Sequence, residues 1–124
     1  MDRINETLFC KYWIEDGILY VLYKPIDFID LNIARSIVAA RIQFQENDTY
    51  PIFCDTRGIK DSSKAARDYL AQEGSTLAKA IAIYDDRQLS AFMLHYYLNR
   101  NKPLVPSKIF TDREEALLYL RNHP

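Results

Sequence analysis

The run Pro51-Ile52-Phe53-Cys54-Asp55-Thr56-Arg57-Gly58-Ile59-Lys60-Asp61-Ser62-Ser63-Lys64-Ala65-Ala66 holds a strand, a turn and the start of a helix. Pro51 to Cys54 is a short apolar run suited to a buried strand, and Asp55-Thr56-Arg57-Gly58 closes it with turn-forming residues. A helix then starts near Asp61 or Ser62, residue types that favour the cap position. It buries Ala65, Ala66, Tyr69 and Leu70 and stops at Gly74, which suits the position just past a helix end. Strand, short loop and helix together are one step of a parallel α/β unit, so strands and helices should alternate on either side.

They do. Downstream, Lys79 to Tyr84 is apolar on both faces through Ala80, Ile81, Ala82 and Ile83, as a central parallel strand covered by helices must be. Asp85-Asp86 ends it and caps a third helix through Leu89, Phe92, Met93, Tyr96 and Tyr97, terminated by Asn99 to Pro103. A last strand covers Ser107 to Phe110, and Thr111-Asp112-Arg113-Glu114 reads as a capping box before a helix carrying Ala116, Leu117 and Leu120. Upstream, Asp30 caps an amphipathic helix with Ile33, Ile37, Ala40 and Phe44 on one stripe and Arg35, Arg41 and Gln45 opposite. Before it, Leu8 to Ile14 and Ile18 to Lys24 flank Glu15-Asp16-Gly17, a hairpin signal because Gly17 tolerates positive φ. The order is β-β-α-β-α-β-α-β-α. It implies a mostly parallel five-stranded sheet with one antiparallel N-terminal hairpin strand, in a single domain over residues 1–124.

Composition narrows the function classes. Sixteen basic against 17 acidic side chains in 124 residues leave a formal charge of −1, too little to steer the chain onto nucleic acid or an anionic membrane. Two cysteines, Cys10 and Cys54, lie in apolar stretches and suit buried, reduced thiols, and no apolar run approaches the roughly 18 residues of a membrane span. A cytoplasmic chain is expected. Nine tyrosines, six phenylalanines and one tryptophan raise the prospect of an aromatic interface or pocket.

Catalytic constellations are not evident. Asp55, Asp85 and Asp86 fall at strand ends, where a metal pocket is conceivable, but caps and turns use aspartate for its own sake. A phosphoacceptor receiver domain would need an acidic pair after its first strand and a lysine after its last. Here the first segment ends in a hairpin, and Thr111 follows the last. His95 lies mid-helix among apolar neighbours, His123 lies near the end of the chain, and Cys54 has no CxxC partner. Neither a GxGxxG loop, a Walker loop nor a metal-ligand spacing occurs, so a non-enzymatic protein without metal or cofactor is the expectation.

Asp61-Ser62-Ser63 at its place after the strand ending in Asp55 resembles the STAS, or SpoIIAA-like, anti-sigma-factor-antagonist family. In such domains Asp-Ser-Ser-Gly opens a helix, and the second serine of the antagonists accepts phosphate from a partner kinase. The resemblance implies Ser63, with Ser62 beside it, as candidate phosphoacceptor. A helix N-terminus with free amides and a positive dipole end welcomes phosphate. Lys64 stands where the antagonists have glycine, and the segment between the two aspartates is two residues shorter than theirs. Element order and Phe110-Thr111-Asp112-Arg113-Glu114-Glu115-Ala116 resemble divergent SpoIIAA-like bacterial proteins of uncharacterised function, over nearly the whole chain.

The leading expectation is therefore a STAS-like protein-binding or regulatory module. Its contact rim would comprise Asp55, Arg57, Lys60, Asp61, Lys64 and Arg67, with Arg57 the residue best shaped for an anionic partner group. The alternative is a carrier of a small apolar ligand or lipid beneath the helix of Phe92, Met93, Tyr96 and Tyr97. Tyr12, Trp13, Tyr20 and Tyr23 alternate across the hairpin, so a partly covered second sheet face would offer a homodimer contact or shallow groove.

Overall fold

A computed structural model describes residues 3–88 and 103–124. Its elements are β1 (Ile4–Glu6), β2 (Cys10–Glu15), β3 (Ile18–Tyr23), α1 (Leu31–Gln45), β4 (Tyr50–Asp55), α2 (Lys64–Gln72) with a 3₁₀ turn at Glu73–Ser75, β5 (Ala78–Tyr84), β6 (Ser107–Phe110) and α3 (Arg113–Arg121). The helix expected through Leu89, Phe92, Met93, Tyr96 and Tyr97, with His95, lies outside the described residues.

The six strands lie in one sheet in chain order, β1-β2-β3-β4-β5-β6. β1, β2 and β3 pair antiparallel, and β3 to β6 pair parallel. The mostly parallel α/β sheet with an N-terminal hairpin is as the sequence implies, with one strand more than the five expected. Glu15 pairs with Ile18, so Asp16-Gly17 is a two-residue turn in which φ is +53° and +77°. Both central residues are left-handed, the geometry that matches strand twist. The added strand, β1, precedes a turn in which the Thr7 hydroxyl accepts from the amides of Phe9 and Cys10. β2 accordingly begins at Cys10 and not at Leu8, which is exposed.

The sheet is covered on both faces. On one, α1 and α2 enclose Tyr12, Leu19, Val21, Tyr23 and Ile52. On the other, α3 places Ala116, Leu117 and Leu120 against Ile18, Tyr20, Phe53, Ala80 and Ala82. Trp13 stacks on Tyr20 at 5.0 Å with an interplanar angle of 3°, and Phe53 and Tyr84 extend the aromatic row across the strands. The hairpin aromatics thus divide as alternation requires, Tyr12 and Tyr23 beneath α1, Trp13 and Tyr20 on the α3 side.

Three helix ends differ from expectation. α2 is capped by Ser63, not by Asp61 or Ser62. Gly74 is no left-handed terminator, because α2 tightens into the 3₁₀ turn that contains it. Asp112, not Thr111, caps α3 by accepting from the Glu114 amide at 3.2 Å. Arg41 and Gln45 are buried, although the pattern of α1 assigns them to solvent. α1 packs on the sheet along one stripe and on the segment before β5 along another, and a single amphipathic period registers only the first.

Candidate functional site

The rim at the carboxyl ends of the parallel strands is where open α/β sheets gather functional groups. Here it is built by one device used twice. β4 ends Asp55-Thr56-Arg57 and β5 is followed by Asp85-Asp86-Arg87. In the first, Asp55 Oδ1 accepts from the Arg57 amide at 3.2 Å and from Nε at 3.0 Å, while Oδ2 accepts from Nη2 at 2.9 Å. In the second, the corresponding distances from Arg87 to Asp85 are 3.0, 3.0 and 2.8 Å. Each carboxylate therefore turns the chain at its strand end and grips the guanidinium two residues on in bidentate fashion.

The two units interlock. Thr56 donates its hydroxyl to Asp85 Oδ2 at 3.0 Å, and Arg87 Nη2 donates to the Thr56 carbonyl at 2.9 Å. Arg57 lies 4.8 Å over the Tyr84 ring and 3.7 Å from Asp86, whose carboxylate accepts from the Tyr84 hydroxyl at 3.3 Å. Hydrogen bonds to Asp55 and to Asp85 hold the pKa values of Arg57 and Arg87 above the usual arginine range. Asp85 is fully buried, and Asp55, the turn residue that the sequence implied, also grips Arg57, while the helix that Asp85 or Asp86 is expected to cap lies outside the described residues. Among the described residues no group of three or more His, Cys, Asp or Glu side chains could hold a metal ion.

The second group is the start of α2, delivered by backbone pairing. Residues 26–29 and 59–62 run parallel: Ile26 pairs with Ile59 and Ile29 with Ser62. The amides of Ile26 and Lys60 exchange bonds with Gly58 and Ile26 carbonyls at 2.9 Å, and those of Ile29 and Ser63 with Asp61 and Ile29 carbonyls at 3.0 Å. This ladder fixes Ser63 at the cap, where its hydroxyl accepts from the Ala66 amide at 3.1 Å. Asp61 Oδ1 accepts from the Ser62 amide at 2.8 Å. Arg67 folds back to donate to the Ser62 carbonyl at 2.7 Å and approaches its hydroxyl at 3.4 Å. Lys64 points away to Asp68 at 2.8 Å, and Lys60 is exposed.

The residues singled out in the sequence thus divide in two. Asp55 and Arg57 belong to the interlocked rim. Asp61, Ser62, Ser63, Lys64 and Arg67 belong to the α2 start, with Lys60 on the loop between. The sequence reading missed Arg87 and Thr56, although Asp-x-Arg after two successive strands was a legible repeat. It also missed Phe28, 48% exposed in the segment that pairs with residues 59–62.

Behind the rim, on the α1 and α2 side of the sheet, lies a cavity of about 100 Å³. Cys54 reaches it, and burial pushes the Cys54 thiol up to about 12, as it does that of Cys10.

A family described as "Domain of unknown function (DUF7793)" matches residues 12–124. The chain belongs to that family. No curated protein matches it. Among solved structures this family member is similar to an uncharacterized protein of the DUF3478 family with a SpoIIAA-like fold from Shewanella loihica PV-4. The TM-score is 0.56 and the identity 12%, over 97% of this chain and 92% of that one. That likeness shows the fold, and the SpoIIAA-like expectation drawn from Asp61-Ser62-Ser63 holds at that level. Among the described residues of this member, no helix is long and apolar enough to cross a membrane.

Proposed function

We propose that the chain is a non-enzymatic, cytoplasmic binding or regulatory module that takes a protein partner at the α2 start and the rim beside it, from Asp55 to Arg67. The supporting observation is the cap at Ser63. A half-buried hydroxyl sits at a helix N-terminus held by two stretches of backbone, with Arg67 folded over the neighbouring serine. Such a position accepts negative charge without unfolding the helix, because the dipole and free amides favour it. Phe28 adjoins it as an exposed aromatic of the type that anchors protein interfaces. The non-enzymatic reading is supported by the rim carboxylates, whose oxygens are engaged by arginines two residues on.

The test compares wild type with Ser63→Asp as bait in quantitative pull-downs from the native host. Aspartate keeps the cap, so the variant should melt within a few degrees of wild type while its captured set changes. Identical capture by two folded baits would remove the switch.

A second reading, a carrier of a small apolar ligand, is favoured by the cavity between the sheet and the α1–α2 layer.

A further inference from the structure

Helix α1 buries a cation. Arg41 is 5% exposed and lines the cavity. Its Nη1 donates to Gln45 Oε1 and, at 3.0 Å, to the Thr76 carbonyl, and its Nη2 donates to the Gly74 carbonyl at 3.0 Å. Every acceptor is neutral. The Nε hydrogen and the second Nη2 hydrogen take no acceptor among the described residues. The ionisable groups acting on the guanidinium are Cys54, Tyr23 and Tyr12, and none of the described carboxylates is among them. Burial lowers its pKa from the usual arginine value, but a guanidinium stays protonated at neutral pH.

Folding this charge away from water without a counter-charge is costly. The carbonyls at the end of α2 and its 3₁₀ turn offset at most about half a charge. Gln45 already ties α1 to the same segment through the Leu77 carbonyl at 2.9 Å, and to the loop after α1 through that of Asp48 at 2.9 Å, so a cation is not required for that attachment. The remainder of the cavity wall is largely aliphatic, including Val21, Ile37, Ile52, Leu70 and Ile83.

We infer that the cavity takes a small carboxylic acid, with its apolar body on the aliphatic wall and its carboxylate on the unused N–H edge of Arg41. The inference rests on the carrier reading and names the ligand class. A guanidinium edge meets a carboxylate with two parallel hydrogen bonds, and the ligand supplies the missing counter-charge. Size sets the body: a dry aliphatic cavity of about 150 Å³ holds benzene. A volume of about 100 Å³, about two-thirds of that, therefore suits a short acid of two or three carbons and excludes a lipid tail.

The experiment is calorimetric titration of the full chain with propanoate and with its neutral isostere propanamide. The carboxylate should bind at least about tenfold more tightly, since hydrogen bonds to charged groups outweigh neutral ones. Arg41→Met should erase that preference while amide affinity persists. Equal affinities in the wild type overturn the carboxylate assignment and leave the carrier reading standing. Absence of binding by either compound at millimolar concentration overturns both. The wild-type pair decides the matter alone should Arg41→Met fail to fold.

Discussion

Gly58 offers the sharpest test of how the α2 start is positioned. A Cβ added there would lie 2.4 Å from the Tyr23 carbonyl oxygen, 2.5 Å from that of Lys24 and 2.7 Å from the Lys24 carbonyl carbon. All three are backbone atoms, so no side chain can turn aside. Carbon contacts are comfortable only near 3.5–4.0 Å, and the loop of Gly58 must therefore withdraw by about 1 Å from the end of β3. The withdrawal breaks the bonds joining Ile26 to Gly58 and Lys60, both 2.9 Å. Overpacking costs about 1–3 kcal/mol and each lost bond about 1 kcal/mol, against about 0.4–1 kcal/mol returned by stiffening the unfolded chain. Gly58→Ala should lose about 2–4 kcal/mol in urea denaturation at unchanged m. Amides of Ile29 and Ser63, next along the ladder, should lose hydrogen-exchange protection beyond the global change. Gly74→Ala is the control, with no atom within 4 Å of its added methyl and no left-handed φ, and should be neutral or stabilised by up to about 1 kcal/mol. A Gly58→Ala loss below about 1 kcal/mol would refute the view that close backbone approach sets the α2 start.

Two further outcomes follow from the rim and the thiols. Asp85 is fully buried while the Asp55 side chain is 11% exposed, and both arginines reach solvent, so they escape part of the penalty for losing a partner. Asp85→Ala should cost about 2–3 kcal/mol and Asp55→Ala about 1–2 kcal/mol in the same assay, and the reverse order would contradict the interlocked geometry. The Cys10 and Cys54 thiols, pushed up to about 12, stay protonated in the fold while those of the unfolded chain ionise near 8.5. The folded state then binds more protons, so stability falls as pH rises above about 8.5, by about 1.4 kcal/mol per thiol for each further pH unit. Denaturation between pH 8 and 10 should show that slope, and the Cys10→Ala/Cys54→Ala double variant should flatten it. An equal slope in both would place the cause elsewhere.

Legibility varied with the range of the interaction. Asp16-Gly17 marked the hairpin because a two-residue turn needs both φ values positive, and Ser107 to Phe110 stood out as a bounded apolar run. β1 was illegible because Ile4-Asn5-Glu6 is exposed throughout and carries no alternation. The cap of α2 was ambiguous among Asp61, Ser62 and Ser63, all good caps. A long-range pairing decides it, since Ile29 takes the Ser63 amide and holds Ser62 in extended backbone. Arg41 and Gln45 were misassigned for the same reason: their partners, Gly74 to Leu77, lie about thirty residues away. At the rim, Asp55 and Arg57 could be singled out from turn chemistry, but the Thr56 link to Asp85 requires β4 beside β5.

The likeness to a SpoIIAA-like structure fixes the fold and leaves the chemistry to particular side chains. At the strand ends, Asp55 and Asp85 each bind an arginine, so the place where open α/β sheets usually hold ligands is filled by the chain's own ion pairs. In the proposed module, recognition would therefore fall to the neighbouring helix start. There the replacement of glycine by Lys64 matters less than its charge suggests, because the ammonium is drawn outward to Asp68. Arg67 is the cation that faces the serines, and it is held by a neutral carbonyl, the weaker kind of acceptor. Negative charge arriving at Ser63 would compete for that guanidinium on favourable terms. The electrostatic response of the α2 start therefore depends on Arg67 more than on Arg57, whose charge Asp55 already meets in bidentate geometry.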